Sequence, residues 1–287
     1  MPEVARGMPF FFTLWVFATG AVVGSFLNVV IARVPKGQSI VAPGSRCPRC
    51  GKAIAWYDNI PVVSWLVLRA RCRSCGLPIS PRYPLIELLT AALAVAVVRR
   101  AGPTWAALGY FVFVAALIAL AYIDLDTWLL PHQITWPLLA IGLLSPTWNR
   151  ALTWKGAAIG AAAGFAAFAA IAVVGERLLK RETMGWGDVW LLAAIGAWLG
   201  WSALLPVVLL SALQGAVVGT ILIATRQDPQ APAEPVPPAA ASSDDDWVPP
   251  RHAVPYGPFL ALGALEYLFF GDRLVSGWNA VLFRLLS

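Results

Sequence analysis

The sequence predicts an all-α polytopic membrane protein, with about eight transmembrane helices and a small cytoplasmic four-cysteine domain inserted after the first helix. Three observations predict it. The 287 residues are 59% hydrophobic and only 13% charged, whereas a soluble domain carries roughly a quarter charged residues. The apolar residues gather into eight long stretches. All four cysteines fall in one basic segment between the first two stretches.

With a window of about 19 residues, the apolar stretches lie near 10–32, 84–101, 104–123, 134–147, 154–175, 188–200, 202–224 and 255–271. The fourth and sixth fall short of the roughly 20 residues that a straight crossing requires, so they are expected to be thin, bent or extended by their flanks. The first is read as a retained helix and not a signal peptide, because its apolar run is long and no small-residue cleavage site precedes a soluble domain. In the fifth, Gly156, Gly160 and Gly164 recur at four-residue spacing, which puts three side-chain-free positions on one face for another helix to approach. Residues 272–287 space Leu274, Trp278, Val281, Leu282 and Leu285 as an amphipathic helix lying on the outer interface would.

Orientation follows from the basic residues, because Lys and Arg are retained in cytoplasmic loops. The segment after the first stretch carries Arg33, Lys36, Arg46, Arg49, Lys52, Arg69, Arg71, Arg73 and Arg82, so it is placed inside. Eight crossings then put the loops at 124–133, 176–187 and 226–252 inside as well, with both termini outside. Most of the 21 basic residues become cytoplasmic in this arrangement. The net charge of +6 is therefore a statement about membrane topology and requires no nucleic-acid partner.

The chain divides into a first transmembrane helix at 1–33, a cytoplasmic metal-binding domain at 34–83, and a transmembrane domain at 84–287. Segment 34–83 is rich in Pro, Gly, Arg and Cys and lacks a long apolar period. So small a unit buries little apolar surface and needs a metal or disulfides to hold together. Residues 227–252 replace the apolar pattern with Pro, Ala, Ser and a run of aspartates, the composition of a disordered cytoplasmic loop.

The cysteines form two pairs, Cys47 with Cys50 in CPRC and Cys72 with Cys75 in CRSC. Two residues between thiols let one short turn present both sulfurs to a tetrahedral ion, and two such turns close a four-thiolate zinc site. Cytoplasmic thiols stay reduced, which argues against disulfides. A closed four-sulfur site leaves no position for water, so the zinc is expected to be structural. A redox dithiol pair is the alternative.

Acids at or within membrane stretches are costly and call for an explanation. Four stand out: Glu87, Asp124, Asp126 and Asp188. Asp124 ends the third stretch and Asp188 opens the sixth, which places both at the cytoplasmic face, where they can meet. Two carboxylates in a poorly solvated place share one proton. One then serves as base toward a water attacking a peptide carbonyl, and the other as acid. Gly185 and Gly187 beside Asp188 remove side chains where a substrate backbone and a water must approach. The bland alternative for each aspartate is an interfacial residue or a helix cap. Asp126 lies roughly 200° around a helix from Asp124 and is read as solvated or supporting. Glu87 could pair with Arg82 or serve the cysteine domain. His132, in a turn, and His252, at the end of the Pro-rich loop, complete no hydrolytic triad, and no H-E-x-x-H helix is present.

These motifs together resemble the type IV prepilin peptidases, the leader peptidase and N-methyltransferase family of GxGD-type membrane aspartic proteases. The resemblance runs from GSFLNVVIARVP at 24–35 through CPRCGKAIAWYDNIPVVSWL, CRSCGLPISPRYPLIELLT, IDLDTWLLP and MGWGDVWLLAAIGAWLG to VPYGPFLALGA. It covers nearly the whole chain, the loop before His252 excepted. The resemblance implies Asp124 and Asp188 as the catalytic pair of an aspartic endopeptidase in the bacterial inner membrane. It implies leader cleavage from type IV prepilins or type II secretion pseudopilins at the cytoplasmic face, followed by methylation of the new N-terminus with S-adenosylmethionine. No glycine-rich fingerprint places that cofactor; Asn28, Arg33 and Glu87 match polar positions of the family pattern and are candidates for a methyl-transfer or substrate site, with interhelix bonding the alternative. Two departures stand out. Ala70 occupies a position where the family commonly has glycine, and His132 one where it commonly has aspartate. A catalytically silent, zinc-bearing scaffold of a pilus or secretion assembly is the reading from another class.

Overall fold

A computed structural model describes residues 9–180, 184–225 and 254–286. The loop expected at 227–252, with His252, lies outside them. The described residues are helical, with no strands among them and two isolated β-bridges. They form two compact units, 1–119 and 120–287.

The first unit holds α1 (Phe10–Arg33), the cysteine segment with the short helix α2 (Val63–Val67), α3 (Arg82–Ala101) and most of α4 (Trp105–Thr127). α1 and α3 pack through small residues. A side chain on Gly20 would meet Ala91 Cα at 2.8 Å, and one on Gly24 would meet Glu87 Cα at 2.7 Å. Two glycines four apart thus let the helices touch backbone to backbone, a pairing that relies on van der Waals contact where no water is displaced.

The second unit holds the end of α4, then α5 (His132–Leu144), α6 (Trp154–Leu179), α7 (Trp186–Leu199), α8 (Leu204–Thr225) and α9 (Gly257–Leu286). Its core is α7, apolar all round and buried from Leu191 to Trp198, as a helix enclosed by protein must be. Gly160 and Gly164 of α6 face it as expected. Gly160 meets Gly196 backbone to backbone, and a side chain on Gly164 would lie 2.6 Å from the Leu192 carbonyl oxygen. Gly156 does not join this face. Its N–H is taken by the Thr153 hydroxyl, the N-cap of α6, so local capping outweighs the four-residue pattern there. On the other side of α7, Trp198 Nε1 donates to the Leu138 carbonyl of α5 at 2.8 Å.

Each of the eight apolar stretches coincides with a helix. Among the described residues, four are long and apolar enough to cross a membrane by themselves: Phe10–Lys36, Trp105–Thr127, Trp154–Leu179 and Trp201–Thr225. α5 and α7, with 13 and 14 residues, are shorter than the roughly 20 residues of a straight crossing. The separate interfacial helix expected from Asp272 is not seen. α9 runs unbroken from Gly257 to Leu286, since no proline interrupts the segment.

Candidate functional site

Asp124 lies in the last turn of α4 and is 5% exposed. Its Oδ2 accepts the backbone N–H of Gly257, at the start of α9, at 3.0 Å. Asp188 lies in the first turn of α7, after the extended N-cap Gly185. The structure brings the two acid-bearing helix ends together around Leu130, which lies against Gly187, beside Asp188, and against Gly257, whose N–H binds Asp124. Asp188 Oδ1 is buried and has no hydrogen-bond partner among the described residues. A buried carboxyl oxygen left without a partner is costly in a finished core, but suits a place that receives a water or a peptide group.

Glycine at 187 and 257 is required by contact. A side chain on Gly187 would meet Leu130 Cβ at 2.7 Å, and one on Gly257 would meet Asp124 Oδ2 at 2.6 Å and Leu130 Cδ2 at 3.2 Å. Leu130 therefore sits against both the glycine that precedes Asp188 and the glycine that binds Asp124. Gly185 has more room, its nearest neighbour being Asp188 Oδ2 at 3.8 Å. α4 continues to Thr127, and Asp126 is exposed on it. Tyr256 borders this place: it precedes Gly257, and its hydroxyl pairs with Ser211 Oγ of α8 at 2.6 Å. Tyr256, Gly257, Leu130 and Ser211 were not singled out by sequence reasoning. The Y-G-P turn that opens the last helix was their one visible signal.

In the first unit the four cysteines meet, with one Sγ from each lying within 4.8 Å of the others. Each pair is built alike. Gly51 N–H returns to the Cys47 carbonyl and Gly76 N–H to the Cys72 carbonyl, both at 2.9 Å. Gly51 and Gly76 take φ of 67° and 69°, the left-handed conformation that glycine adopts without steric cost. Cys47 Sγ lies 3.7 Å from Cys75 Sγ. Four sulfurs around a tetrahedral ion at about 2.3 Å stand about 3.8 Å apart, so the cluster fits a metal of that size. The thiols are free of disulfides. Backbone N–H groups of Cys50 and Arg49 hold the Cys47 thiol below its ordinary value. At Cys75 the Leu77 N–H pulls the same way but is outweighed by burial and by the other thiols, so that thiol is pushed up. Adjacent thiolates repel, and a dication relieves that repulsion.

Glu87, Asn28 and Arg33 are bonded within this unit. Glu87 Oε2 accepts the Val62 N–H at 2.7 Å, and the Ser25 hydroxyl also reaches it. This bond bears out one of its expected roles, serving the cysteine segment. Asn28 Nδ2 donates to the Gly24 and Tyr83 carbonyls at 3.3 and 3.2 Å, joining α1 to α3. Arg33 donates to the Ser39 carbonyl at 2.9 Å.

Comparison with known proteins agrees with these features. The bacterial peptidase A24 N-terminal domain matches residues 18–101, and the type IV leader peptidase family matches residues 111–220. A prepilin leader peptidase/N-methyltransferase of Myxococcus xanthus (strain DK1622) is 43% identical over 92% of this chain and 91% of its own length. The chain belongs to the type IV leader peptidase family. Proteins of the same name from Aeromonas hydrophila and Burkholderia pseudomallei (strain 1026b) are 39% and 40% identical. They cover 95% and 88% of this chain, over 95% and 83% of their own lengths. No solved structure matches the chain.

The two departures from the leader peptidase pattern now have surroundings. Ala70 has φ 57° and follows Arg69 at φ 50°, so the backbone before the second cysteine pair is left-handed at the position where the family commonly has glycine. Alanine adopts that conformation at a cost of roughly 1–2 kcal/mol. His132 opens α5, exposed, with its ring stacked on Trp136 at 5.0 Å between centroids.

Proposed function

We propose that this leader peptidase family member cleaves the leader from type IV prepilins or pseudopilins at the cytoplasmic face of the bacterial inner membrane, with Asp124 and Asp188 as its catalytic pair. The convergence of these acids at one buried place carries the reading. Chain parity supports the topology. With the short α2 left out, Asp124 near the end of α4, Asp188 at the start of α7 and Gly257 at the start of α9 belong to the third, sixth and eighth of the apolar helices, so eight crossings put all three ends on one side. The positive-inside bias makes that side cytoplasmic. α7 then crosses where neighbouring helices enclose it.

A short basic leader held in the cytoplasm, followed by an apolar helix in the bilayer, presents its scissile bond at this level. The aspartates share one proton. The ionised member takes a proton from water as the water oxygen bonds to the scissile carbonyl carbon, and the neutral member gives its proton to the carbonyl oxygen. Collapse of the diol breaks the C–N bond. The amine takes the proton first removed from water, and one diol hydroxyl returns its proton to the other aspartate, leaving one proton on the pair. Gly185, Gly187 and Asp126 support the site without taking part in bond making.

The domain boundaries follow the same division: a membrane helix at 1–33, a cysteine domain at 34–83 and a membrane peptidase domain at 84–287. Cys47, Cys50, Cys72 and Cys75 hold a structural zinc ion that supplies folding energy. The names of the relatives support methylation of the new amine, for which S-adenosylmethionine supplies the methyl group. The bonds of Asn28, Arg33 and Glu87 favour fastening α1, α3 and the cysteine domain, and no methyl-transfer step is assigned to them. A silent scaffold is not favoured, because it has no use for two acids at one buried place. The test is to add the purified protein in lipid to a type IV prepilin with labelled S-adenosylmethionine. Loss of the leader mass and label on the new amine are expected; an uncleaved prepilin overturns the reading.

A further inference from the structure

The start of α9 holds Asp124. The Gly257 N–H bonds to its Oδ2, Tyr256 directly precedes that glycine, and Leu130 lies against both Gly257 and the Gly187 beside Asp188. The Ser211 hydroxyl donates to the Val208 carbonyl at 2.9 Å. Its one hydrogen is thereby used, so in the 2.6 Å contact with Tyr256 the phenol is the donor. This gives a continuous chain of bonds: the Val208 carbonyl of α8 holds Ser211, Ser211 holds Tyr256, and the next backbone N–H holds Asp124. The Tyr256 ring is flanked by Phe168 of α6 at 6.1 Å.

We infer that Tyr256 and Gly257 are positioning residues for the aspartate pair, anchored to α8 through Ser211. Gly257 acts in two ways. Its N–H fixes the rotamer of Asp124, and its missing side chain leaves room for Asp124 Oδ2, which would stand only 2.6 Å from a Cβ there. Leu130, pressed against Gly187 and Gly257, sets the spacing between the α7 and α9 starts that carry Asp188 and the Asp124 anchor. A carboxylate on a soft helix end cannot by itself hold the sub-ångström alignment that proton transfer to an attacking water demands. A backbone donor, itself locked by a half-buried, hydrogen-bonded phenol, can.

The inference rests on Asp124 and Asp188 being the catalytic pair. Its test compares kcat and KM for prepilin cleavage by the full chain in lipid, with Gly257→Ala, Tyr256→Phe, Ser211→Ala, the Tyr256→Phe/Ser211→Ala double variant, Asp124→Asn, and Gly219→Ala as control. A side chain on Gly219 would meet nothing within 4 Å, so that variant should match the parent. Gly257→Ala displaces the carboxylate and should lower kcat by roughly 100-fold with KM unchanged, the scale of an ångström misplacement. Tyr256→Phe should lower kcat by about tenfold, and Ser211→Ala should add nothing to it, since both break one chain. Parental kcat in Tyr256→Phe, or in a Gly257→Ala protein that accumulates normally, overturns the inference. A KM effect with unchanged kcat does the same, by marking a substrate contact instead. If Asp124→Asn still cleaves, it is the catalytic assignment that has failed, and the two failures are told apart.

Discussion

Glu87 accepts the backbone N–H of Val62 at 2.7 Å, and this bond ties α3 to the most strained turn of the cysteine segment. Val62 has φ 61° and ψ −49°, and the Val63 N–H closes onto the Pro61 carbonyl at 2.6 Å. That is the rare positive-φ γ-turn, here on a β-branched residue for which the conformation is a true outlier. A buried acid from another helix compensates for the strain.

Replacing Glu87 should therefore loosen the cysteine segment before it affects the peptidase site. Glu87→Ala leaves a turn N–H without its acceptor, at a cost of roughly 1–3 kcal/mol. Glu87→Gln keeps an acceptor and should cost less. Hydrogen exchange across residues 56–70 reads the difference, and equal protection in all three proteins would refute the role.

Ala70→Gly should stabilise the same segment. At φ 57° the methyl group works against the backbone, and its removal gains about 1 kcal/mol after allowance for the freer unfolded chain. Ala70→Val should destabilise it. Chelator resistance of the four thiols measures both changes; a less resistant glycine variant would show that the left-handed backbone costs nothing there.

Removing metal with a strong chelator, or replacing any one of Cys47, Cys50, Cys72 and Cys75 by Ser, should expose residues 34–81 to protease. The far-UV signal of the membrane helices should stay nearly unchanged, because the metal's binding energy is local folding energy. Loss of helical signal in parallel would contradict this. One metal ion per chain, retained by four thiols, is the expected stoichiometry.

Asp58 links the segment to pH. Arg73 donates from its Nε to Asp58 Oδ2 and Oδ1, at 2.8 and 3.1 Å, and from its Nη2 to Oδ1 at 2.6 Å, and this guanidinium holds the Asp58 carboxyl below the ordinary carboxylate range. A lowered folded-state value means the stabilisation is present above the unfolded value of about 4 and is lost as pH falls through the folded value. The stability difference between the parent and Asp58→Asn should thus be constant near neutrality and vanish in acid. A difference that instead grew as pH fell would reverse the sign and refute the pairing.

Features carried by short stretches of sequence were legible. Eight apolar stretches became eight helices, because a run of apolar residues reports burial or lipid contact directly. The cysteine pairs announced their turns through spacing alone. Features made by distant residues were not legible. Gly257 reaches Asp124 across 133 residues, and Leu130 reads as one more apolar residue until two glycines are seen against it. Four-residue glycine spacing misled in part: Gly156 serves a cap, while Gly20 and Gly24, not paired by the sequence reading, bring α1 and α3 together backbone to backbone. The short α5 and α7 read as marginal crossings because sequence alone cannot show that α7 is enclosed by its neighbours.

The most direct test is the mass of one prepilin incubated with the parent protein, with Asp124→Asn and with Asp188→Asn, each at equal amount in the same lipid. Neutral amides preserve size and remove the shared proton, so the leader should be lost with the parent alone and both variants should leave the prepilin intact. Leader loss at the parental rate with either variant would contradict the account.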